Sequence, residues 1–598
     1  MLVTAGIVTL LLIYLILRNI LHLKNIPKPK ATLFWRHLTT FTERSAEMLH
    51  DNIIRTREVP LSPEYFGGVG YVLYNNLKRK RDHYITINGR TGEVETASSL
   101  LTKCIRTSLL LRKHGIKKGD VVIAFFNIQL NSCVPCIASY FIGAIPSFMD
   151  PGINEQEVIH QIKLCQPKII ITYQDATEML LRVLDTIGLD IDIDIIVLEK
   201  EKEFLEPQIE EESFKPVFVE DLQQTAAIFF SSGSTGYPKA ICLSHYSIFD
   251  EVLLKGIPST EEKPMVILGY DNYYWLVETW KLIGLVKGHG IRVISPKFDT
   301  EEVWRMIDKY KVVTMLFFDV KETKELCESR RPSNVNVYSV SALCVVGDRL
   351  PVRYQRAFKE MFPAAEIPVI YGLTETGICT HFCYGDRRHL ELIERHPESI
   401  GVPVEGTGVS LKVVDLETGE ALGPNRPGEL CVKTRNLLNC YYKTQNSDHF
   451  DSDGWFRTGD VLRYDEDLRF YFEGRIKDII VFQGWHVAPG ILETKLKSHP
   501  AVKRAAVVGK PHPPDGEHPM AIVELAEGRD NVELMEIKEF VDEDMNDLYK
   551  LRGGIVAVKK LPITITGKVK KGLLRKMMEG RMVISATEDA SDFFSQRS

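Results

Sequence analysis

The segment Ser231-Ser232-Gly233-Ser234-Thr235-Gly236-Tyr237-Pro238-Lys239 concentrates groups that can bind an anion. Four hydroxyls and two glycines in its first six residues offer side-chain and backbone donors, and the glycines permit close backbone approach and positive φ. Lys239 adds a cation suited to triphosphate oxygens. The segment is not a Walker A loop, because proline precedes its lysine and alanine follows it. A flexible Ser/Gly loop is the alternative, but the position directly after an apolar strand favours a phosphate loop.

Four later segments combine glycine with charged or hydroxyl residues. They are Tyr371-Gly372-Leu373-Thr374-Glu375-Thr376-Gly377, Gly454-Trp455-Phe456-Arg457-Thr458-Gly459-Asp460, Gly474-Arg475-Ile476-Lys477 and Leu561-Pro562-Ile563-Thr564-Ile565-Thr566-Gly567-Lys568-Val569-Lys570. Together with the first segment, and in this order, they resemble the motifs of adenylate-forming enzymes. That family comprises acyl-CoA synthetases, firefly luciferases and the adenylation domains of peptide synthetases. The resemblance covers roughly residues 60–580 and is closest to luciferases and coumarate–CoA ligases, notably at Leu551-Arg552-Gly553-Gly554.

The resemblance assigns ATP contacts to the first two motifs. It implies that Tyr371 lies against the adenine beside Gly372 and that Thr374 donates to the α-phosphate. Glu375 would hold Mg²⁺ against phosphate oxygens, since hard cations take oxygen ligands. The ATP-binding residues implied for the first segment are Ser231, Ser232, Gly233, Ser234, Thr235, Gly236 and Lys239.

The later motifs imply ribose contacts, a hinge and a catalytic lysine. By resemblance, Asp460 accepts from the ribose hydroxyls, Arg475 also reaches the ribose, and Lys477 lies at a hinge. Lys568 would bridge the substrate carboxylate and the α-phosphate and so stabilise charge in the transition state. Coenzyme A would enter near Gly484. Taken alone, a turn carboxylate or a lysine in a Lys-rich tail is usually solvated; the succession of motifs favours the catalytic interpretation.

The predicted acid pocket departs from the family pattern. Luciferases and many acyl-CoA synthetases carry a His-His-Gly-Phe-like segment where this chain has Asp271-Asn272-Tyr273-Tyr274, and their Gly-Ala-Pro turn appears as Gly347-Asp348-Arg349. Val481 stands where luciferases place a lysine that serves the second half-reaction. We therefore expect a narrow pocket with polar groups at its wall. The pocket residues predicted by register are Asn272, Tyr273, Tyr274, Gly347 and Asp348.

The elements that must position these residues show an α/β pattern. Apolar β-rich runs at Val121–Phe126, Lys168–Thr172 and Thr225–Phe230 alternate with helical stretches such as Glu155–Cys165, which indicates α/β layers with largely parallel sheets. Further runs are expected at Val312–Phe318, Ala342–Val346, Val409–Val414, Gly428–Lys433, Arg469–Glu473, Ala505–Val508 and Ala521–Leu525, with a helix at Val532–Met545. The predicted fold is α/β, with a large N-terminal adenylate-forming domain that includes a small β-rich subdomain, and a small α+β C-terminal lid.

The boundaries follow from these changes of pattern. We predict a transmembrane anchor over residues 2–23, a linker over 24–45, an AMP- and acid-binding domain over 46–474, a hinge over 475–478, a lid over 479–585 and a flexible tail over 586–598.

The anchor prediction rests on the uncharged run Leu2–Leu17. A helix of 22 residues reaches about 33 Å, enough to cross a bilayer. Basic residues follow the run, so the positive-inside tendency places the catalytic domain in the cytosol, on the endoplasmic reticulum or another organelle membrane. A cleaved signal peptide and a buried core helix are the alternatives.

Composition narrows the function classes. A formal net charge of -6 with both signs spread along the chain gives no support for nucleic-acid binding. The 11 cysteines are scattered, as expected of reduced thiols rather than a disulfide framework. Cys133-x-x-Cys136 and Cys379-x-His381-x-Cys383 lack a second half at zinc-finger spacing, which favours core thiols.

These observations predict a membrane-anchored acyl-CoA synthetase that uses ATP, Mg²⁺ and coenzyme A. It would activate a carboxylic acid, most simply a fatty acid, as acyl-AMP and then form the thioester. A luciferase-like oxygenase is one alternative, although Val481 and the absence of a C-terminal Ser-Lys-Leu signal argue against it. A catalytically idle nucleotide-binding homologue with an interaction role is the other.

Overall fold

The computed structural model describes residues 46–48, 51–149, 151–152, 155–188, 193–230, 238–249, 260, 262–270, 273–317, 320–345, 350, 352–382, 387–443, 449–483, 485–529, 531–545, 547–563 and 569–578. The chain divides into a first unit, Met1–Glu47, and a second, Met48–Ser598, which contains all the predicted site residues.

The described residues contain more strands than α-helices. In chain order they are β1 Ala46–Met48, β2 Ile54–Thr56, β3 Tyr84–Asn88, β4 Val94–Thr96, β5 Val121–Phe125, β6 Ile145–Met149, β7 Ile169–Thr172, β8 Asp194–Val197, β9 Thr225–Phe230, β10 Ala240–Ser244, β11 Met265–Gly269, β12 Gly290–Ile294, β13 Thr314–Phe317, β14 Ala342–Val345, β15 Val369–Leu373, β16 Gly377–Phe382, β17 Val402–Pro403, β18 Ser410–Val414, β19 Gly428–Lys433, β20 Cys440–Tyr441, β21 Phe456–Tyr464, β22 Phe470–Arg475, β23 Ile480–Phe482, β24 Trp485–Val487, β25 Val502–His512, β26 Gly516–Leu525 and β27 Gly554–Val558.

The described α-helices lie between these strands. In chain order they are α1 Gly68–Arg79, α2 Ala97–Lys113, α3 Val134–Ile142, α4 Glu155–Cys165, α5 Thr177–Ile187, α6 Lys202–Leu205, α7 His245–Ile248, α8 Leu276–Lys287, α9 Thr300–Tyr310, α10 Val320–Glu328, α11 Val352–Met361, α12 Arg387–Arg395, α13 Pro489–Ser498, α14 Leu534–Asp544 and α15 Lys571–Met578.

Two sheets carry the parallel strands predicted for the large domain. In the first, ordered β20-β10-β9-β6-β5-β7-β8, strands β9, β6, β5, β7 and β8 are parallel to one another. The second, ordered β14-β13-β11-β12-β3-β4, is parallel except at the β3–β4 edge. Every residue of β5 and β7 is buried, as expected of strands covered by helices on both faces. The sequence prediction of parallel α/β layers is confirmed.

Antiparallel pairing takes over in the second half of the chain. Strands β2, β18, β19, β21 and β22 are neighbours in that order, and β15, β16 and β17 form a separate small sheet. The β15–β16 hairpin requires glycine at position 372, because a Cβ there would lie 2.3 Å from the carbonyl oxygen of Gly377. Two of the predicted motifs lie on strands of these two sheets, one on β15 and the other on β21, and they meet through the hydrogen bond from Tyr371 to Asp460.

The C-terminal residues form their own α+β unit. Strands β24, β23, β26 and β25 are adjacent in that order, and β27 pairs with β26 in parallel. Apolar residues of α13 and α14, including Leu492, Leu496 and Ile537, are buried against this sheet. One 3-10 turn, Ile476–Asp478, separates this C-terminal sheet from β22 and falls within the predicted hinge, residues 475–478.

Most predicted strand and helix positions are confirmed, with ends moved by one or two residues. Strands β25 and β26 are longer than the predicted Ala505–Val508 and Ala521–Leu525, by three to five residues at the ends that differ. Thr225–Phe230, Gly428–Lys433 and Glu155–Cys165 agree with the prediction. The run predicted over Val312–Phe318 is a strand only from Thr314 to Phe317, because its pairing with β11 and β14 begins at Thr314. Apolar character extends beyond the hydrogen-bonded ladder at such ends, so composition alone places them too far out.

The predicted anchor, linker and tail lie outside the described residues. Across the part of the chain that is described, helices long and apolar enough to cross a bilayer are absent. Cys133, Cys136 and Cys379 are fully buried, which confirms the interpretation of these residues as core thiols; Cys383 lies outside the described residues.

A buried ion cluster lies between α8 and β12. Glu278, Lys281 and Arg292 are 0%, 2% and 1% exposed. Lys281 donates to Oε1 of Glu278, and Nη1 of Arg292 lies 3.7 Å from its Oε2. Arg292 also donates to the hydroxyl of Tyr273. The single carboxylate thus compensates two buried cations.

We expect Glu278→Gln to destabilise the protein by about 3–5 kcal/mol, because it keeps the side-chain shape but removes the negative charge that faces Lys281 and Arg292. Glu178→Gln is the control, since Glu178 pairs with Arg182 on the surface and is 91% exposed; its effect should stay within about 0.5 kcal/mol. Urea unfolding followed by tryptophan fluorescence measures both. Equal shifts in the two variants would contradict the role of Glu278.

Candidate active site

The carboxylate of Asp460 is held between side chains from two other motifs. The Tyr371 hydroxyl donates to Oδ2 of Asp460 at 2.8 Å, and Nε of Arg475 lies 3.1 Å from Oδ1. Asp460 and Arg475 are direct partners in the β21–β22 ladder, while Tyr371 comes from β15. Asp460 is 2% exposed, so the guanidinium and the phenol compensate a nearly buried charge. The structure thus brings together the three residues predicted to bind adenosine.

Glu429 of β19 fixes the part of strand β21 that presents Asp460. Its Oε2 accepts from Nε and Nη2 of Arg457 at 2.8 and 2.5 Å, and its Oε1 accepts from the backbone N–H of Gly459 at 3.1 Å. The Asp460 N–H in turn donates to Oγ1 of Thr458. The motif residues before Asp460 therefore hold the backbone, and Asp460 alone presents its carboxylate to Tyr371 and Arg475.

A second group of side chains surrounds Tyr441. Its hydroxyl donates to Oε1 of Glu375 at 3.1 Å, and Nζ of Lys239 lies 5.0 Å from the centre of its ring. The same Nζ is 2.6 Å from Nε2 of His449. Tyr441 thus separates the predicted magnesium ligand from the predicted phosphate-binding cation, with the carboxylate on its hydroxyl and the ammonium on its face.

The two groups share one electrostatic environment. Burial raises the pKa of Glu375, while the hydrogen bond from Tyr441 and the charges of Lys239 and Arg475 oppose that rise. Burial, followed by the charge of Asp460, raises the pKa of Tyr371, so its hydroxyl remains a donor at neutral pH. The site therefore combines two carboxylates with two cations and has the charges needed to hold a polyphosphate through a divalent metal.

Other predicted residues lie close to these groups in the chain. Thr374 occupies the turn between β15 and β16, next to Glu375, and Gly372 precedes it on β15. The backbone carbonyl of Lys477 accepts from Nη1 of Arg575 at 2.7 Å. Helix α15, which follows the predicted catalytic segment, therefore contacts the hinge directly.

Of the residues predicted to line the acid pocket, the structure describes only Tyr273 and Tyr274. Tyr273 is 1% exposed and packs against Phe148 with ring centres 6.0 Å apart, while its hydroxyl meets Arg292. Tyr274 is edge-on to Trp275. The polar partner of this region is therefore the buried Arg292, which the sequence prediction did not include.

Several predicted residues lie outside the described part of the chain. They are Ser231, Ser232, Gly233, Ser234, Thr235, Gly236, Asn272, Gly347, Asp348, Gly484 and Lys568. Their roles stay predictions. The described flanks of the first segment, Phe230 and Ala240, are direct partners in the antiparallel β9–β10 ladder.

Sequence reasoning missed Tyr441, His449 and Glu429. Tyr441 reaches the site because β20 pairs with β10, with Tyr441 opposite Ile241, only two residues beyond Lys239. A two-residue strand gives no periodic signal, and its register is a tertiary property. Glu429 could have been noticed in the sequence, since it is an acidic residue directly before three apolar residues of a strand.

Comparison with known proteins agrees with this geometry. The model of the AMP-binding enzyme family matches residues 73–442, and that of the AMP-binding enzyme C-terminal domain matches residues 492–568. A 4-coumarate–CoA ligase of Vanilla planifolia is 28% identical over 86% of this chain and 93% of its own length. A luciferin 4-monooxygenase of Photinus pyralis is 27% identical over 88% of this chain and 97% of its own length.

Solved structures show the same architecture. A luciferase-like enzyme from the nonluminescent mealworm Zophobas morio is 29% identical, with a TM-score of 0.65 over 71% of this chain and all of its own. ATP-bound MatB of Rhodopseudomonas palustris is 21% identical, with a TM-score of 0.74 over 86% of this chain and all of its own, a likeness of fold alone. Since one family model covers more than half of the sequence, the chain belongs to the AMP-binding enzyme family and has its α/β adenylate-forming fold, with a large N-terminal and a small C-terminal domain.

Proposed function

We propose that the protein activates a carboxylic acid with ATP and passes the acyl group to coenzyme A. In the first step a carboxylate oxygen attacks the α-phosphorus, the bond to the oxygen bridging to the β-phosphorus breaks, and pyrophosphate leaves. In the second, the thiol of coenzyme A attacks the acyl carbonyl carbon, its proton is released, and the carbon–oxygen bond to AMP breaks. The observation that carries the proposal is the convergence of Tyr371, Asp460 and Arg475 with Glu375 nearby.

Asp460 supplies the ribose site in this proposal. A carboxylate oxygen can accept more than one hydrogen bond, so the two oxygens that meet Tyr371 and Arg475 also suit the two ribose hydroxyls. The donors on Tyr371 and Arg475 orient the carboxylate before the nucleotide arrives, which reduces the entropy lost on binding. The phenol ring of Tyr371 would lie against the adenine.

Glu375 fits a magnesium ion by its donor chemistry. It offers carboxylate oxygens, which hard cations prefer, and the charges of Lys239 and Arg475 favour its ionised form. Bound there, Mg²⁺ would neutralise phosphate charge. The chain's own contribution is to orient the carboxylate through the Tyr441 hydroxyl and to place the Lys239 ammonium over the face of the Tyr441 ring.

Use of coenzyme A is supported by the likeness to 4-coumarate–CoA ligases. The likeness to luciferin 4-monooxygenases favours oxygenase chemistry equally, but position 481 does not. Val481 is 42% exposed on β23 and brings no cation where luciferases place a lysine. We therefore favour thioester formation, with the lid turning near Lys477 between the two steps.

For the acid we propose a medium- or long-chain fatty acid. Tyr273 and its partner Arg292 fill space at the position of a smaller residue in luciferases, which favours a narrow, flexible chain over a wide ring system. The anchor predicted over residues 2–23 would place the enzyme at a lipid surface, where such acids concentrate.

We expect AMP release with decanoate or hexadecanoate to exceed that with 4-coumarate in kcat/KM. A preference for 4-coumarate would contradict the fatty-acid assignment.

We expect Asp460→Asn to lower kcat/KM for ATP about 10- to 100-fold, since hydrogen bonds to a charged group contribute about 1.5–3 kcal/mol. Asp465→Asn is a closely matched control. Asp465, in the connection between β21 and β22, also accepts from a tyrosine, Tyr471 at 3.0 Å, and from the Nε of an arginine, Arg469 at 2.7 Å. It should lose stability while its KM for ATP changes less than about twofold. Equal effects on ATP use in both variants would show that Asp460 is only structural.

We expect Lys568→Ala to reduce acid-dependent ATP–pyrophosphate exchange about 100-fold or more, because it removes a transition-state charge contact worth several kcal/mol. ATP binding, measured by equilibrium dialysis, should largely survive. Lys570→Ala removes an exposed lysine two residues away and serves as the control. Exchange at the wild-type rate in Lys568→Ala would refute the catalytic assignment.

A further inference from the structure

Two histidines and an aspartate meet at the tip of the β25–β26 hairpin, in the C-terminal unit. The strands end at His512 and restart at Gly516, which has a φ of 86°, and the Asp515 N–H donates to the carbonyl of His512 at 2.9 Å. This turn places Oδ2 of Asp515 3.0 Å from Nδ1 of His512 and 2.8 Å from Nε2 of His518. The three candidate donor atoms lie within 4.8 Å of one another. The adenylation site does not use them.

An ordinary ion-pair network accounts for only part of this arrangement. Nδ1 of His512 is shielded from solvent and makes no aligned hydrogen bond, although the carboxylate oxygen is only 3.0 Å away. The two imidazole rings are also stacked, with centres 3.8 Å apart and planes 18° from parallel. A cation shared among the three atoms would use the unpaired nitrogen of His512, with one ring turned out of the stack so that both imidazole nitrogens point at the ion.

The distances suit a small metal ion. Zinc–nitrogen and zinc–oxygen bonds of about 2.0–2.2 Å put the ligands of a tetrahedral site about 3.3–3.5 Å apart. The observed contacts of 2.8 and 3.0 Å to Asp515 reach that spacing with movements of about half an ångström. Two imidazoles favour zinc and its neighbours over magnesium or calcium, which prefer oxygen ligands.

Asp515 is also supported from outside the cluster. Nε2 of Gln483 donates to its Oδ1 at 2.9 Å, which leaves Oδ2 for the cluster, and the Gln483 N–H donates to the Asp515 carbonyl at 2.7 Å. Metal-ligating carboxylates characteristically have such an outer partner.

We propose that His512, Asp515 and His518 form a binding site for a divalent transition metal of the zinc class. The ligand atoms are Nδ1 of His512, Oδ2 of Asp515 and Nε2 of His518, and water completes the coordination on the exposed side. Through Gln483, which directly follows β23, the ion ties the hairpin tip to the strand that carries Val481. The site is independent of the adenylation proposed above and needs neither ATP nor acid.

The first test is direct metal binding to the full chain, stripped with a chelator and assayed without nucleotide. Isothermal titration with Zn²⁺ should show one tight equivalent that His518→Gln weakens about 100-fold or more, since removing a ligand costs more than the 10- to 100-fold typical of outer partners. Gln483→Ala should weaken it about 10-fold. His114→Gln is the matched control, because His114 pairs with Asp194 at 3.1 Å but belongs to no group of three ligand side chains among the described residues. Unchanged zinc affinity in His518→Gln would overturn the site.

A second measurement does not depend on a variant that must fold. Co²⁺ added to the wild-type chain should give the visible absorption of a four-coordinate nitrogen–oxygen site, and Zn²⁺ should abolish it. Zn²⁺ should also slow hydrogen exchange at the Gln483 amide, whose N–H donates to Asp515. Absence of both the absorption and the slowed exchange in the wild type would overturn the proposal, even if zinc binds elsewhere on the chain.

Discussion

The proposed nucleotide site depends on one nearly buried carboxylate, that of Asp460. An ionised group that is 2% exposed is tolerated only with compensation, and here a phenol from β15 and a guanidinium from β22 provide it. These contacts also join the small β15–β16–β17 sheet to the antiparallel sheet of β21 and β22. Because Arg475 is the last residue of β22, the same ion pair connects the adenosine site to the turn from which the C-terminal unit begins.

Apolar patterning predicted much of the scaffold, since fully buried parallel strands leave continuous apolar runs such as Val121–Phe125. It did not predict which polar residues meet. Tyr371 and Asp460 are separated by 89 residues, and only the family resemblance indicated their proximity. Tyr441 was missed because its place beside Glu375 follows from the register of a two-residue strand. Arg292 was missed because an arginine in a strand is ordinarily expected on the surface.

The charged groups of the large domain serve two different ends. Around Glu278 the charges are sealed from solvent and compensate one another, so they contribute to the stability and shape of the interior. Around Glu375 and Asp460 the carboxylates accept from tyrosine hydroxyls and, in the proposed mechanism, also contact the metal-bound nucleotide. Placing the second group on strands and tight turns fixes it before ligand arrives, which is the arrangement expected of a preorganised site. In the proposed mechanism the C-terminal domain supplies Lys568.

The most direct measurement of this account is a crystal structure of the full chain with a non-hydrolysable acyl-adenylate analogue. The account predicts both ribose hydroxyl oxygens within about 2.5–3.0 Å of the Asp460 carboxylate oxygens, the hydrogen-bond distance for an ionised acceptor. It also predicts the adenine against the ring of Tyr371. A ribose directed to solvent, with Asp460 contacting only Tyr371 and Arg475, would contradict the central claim.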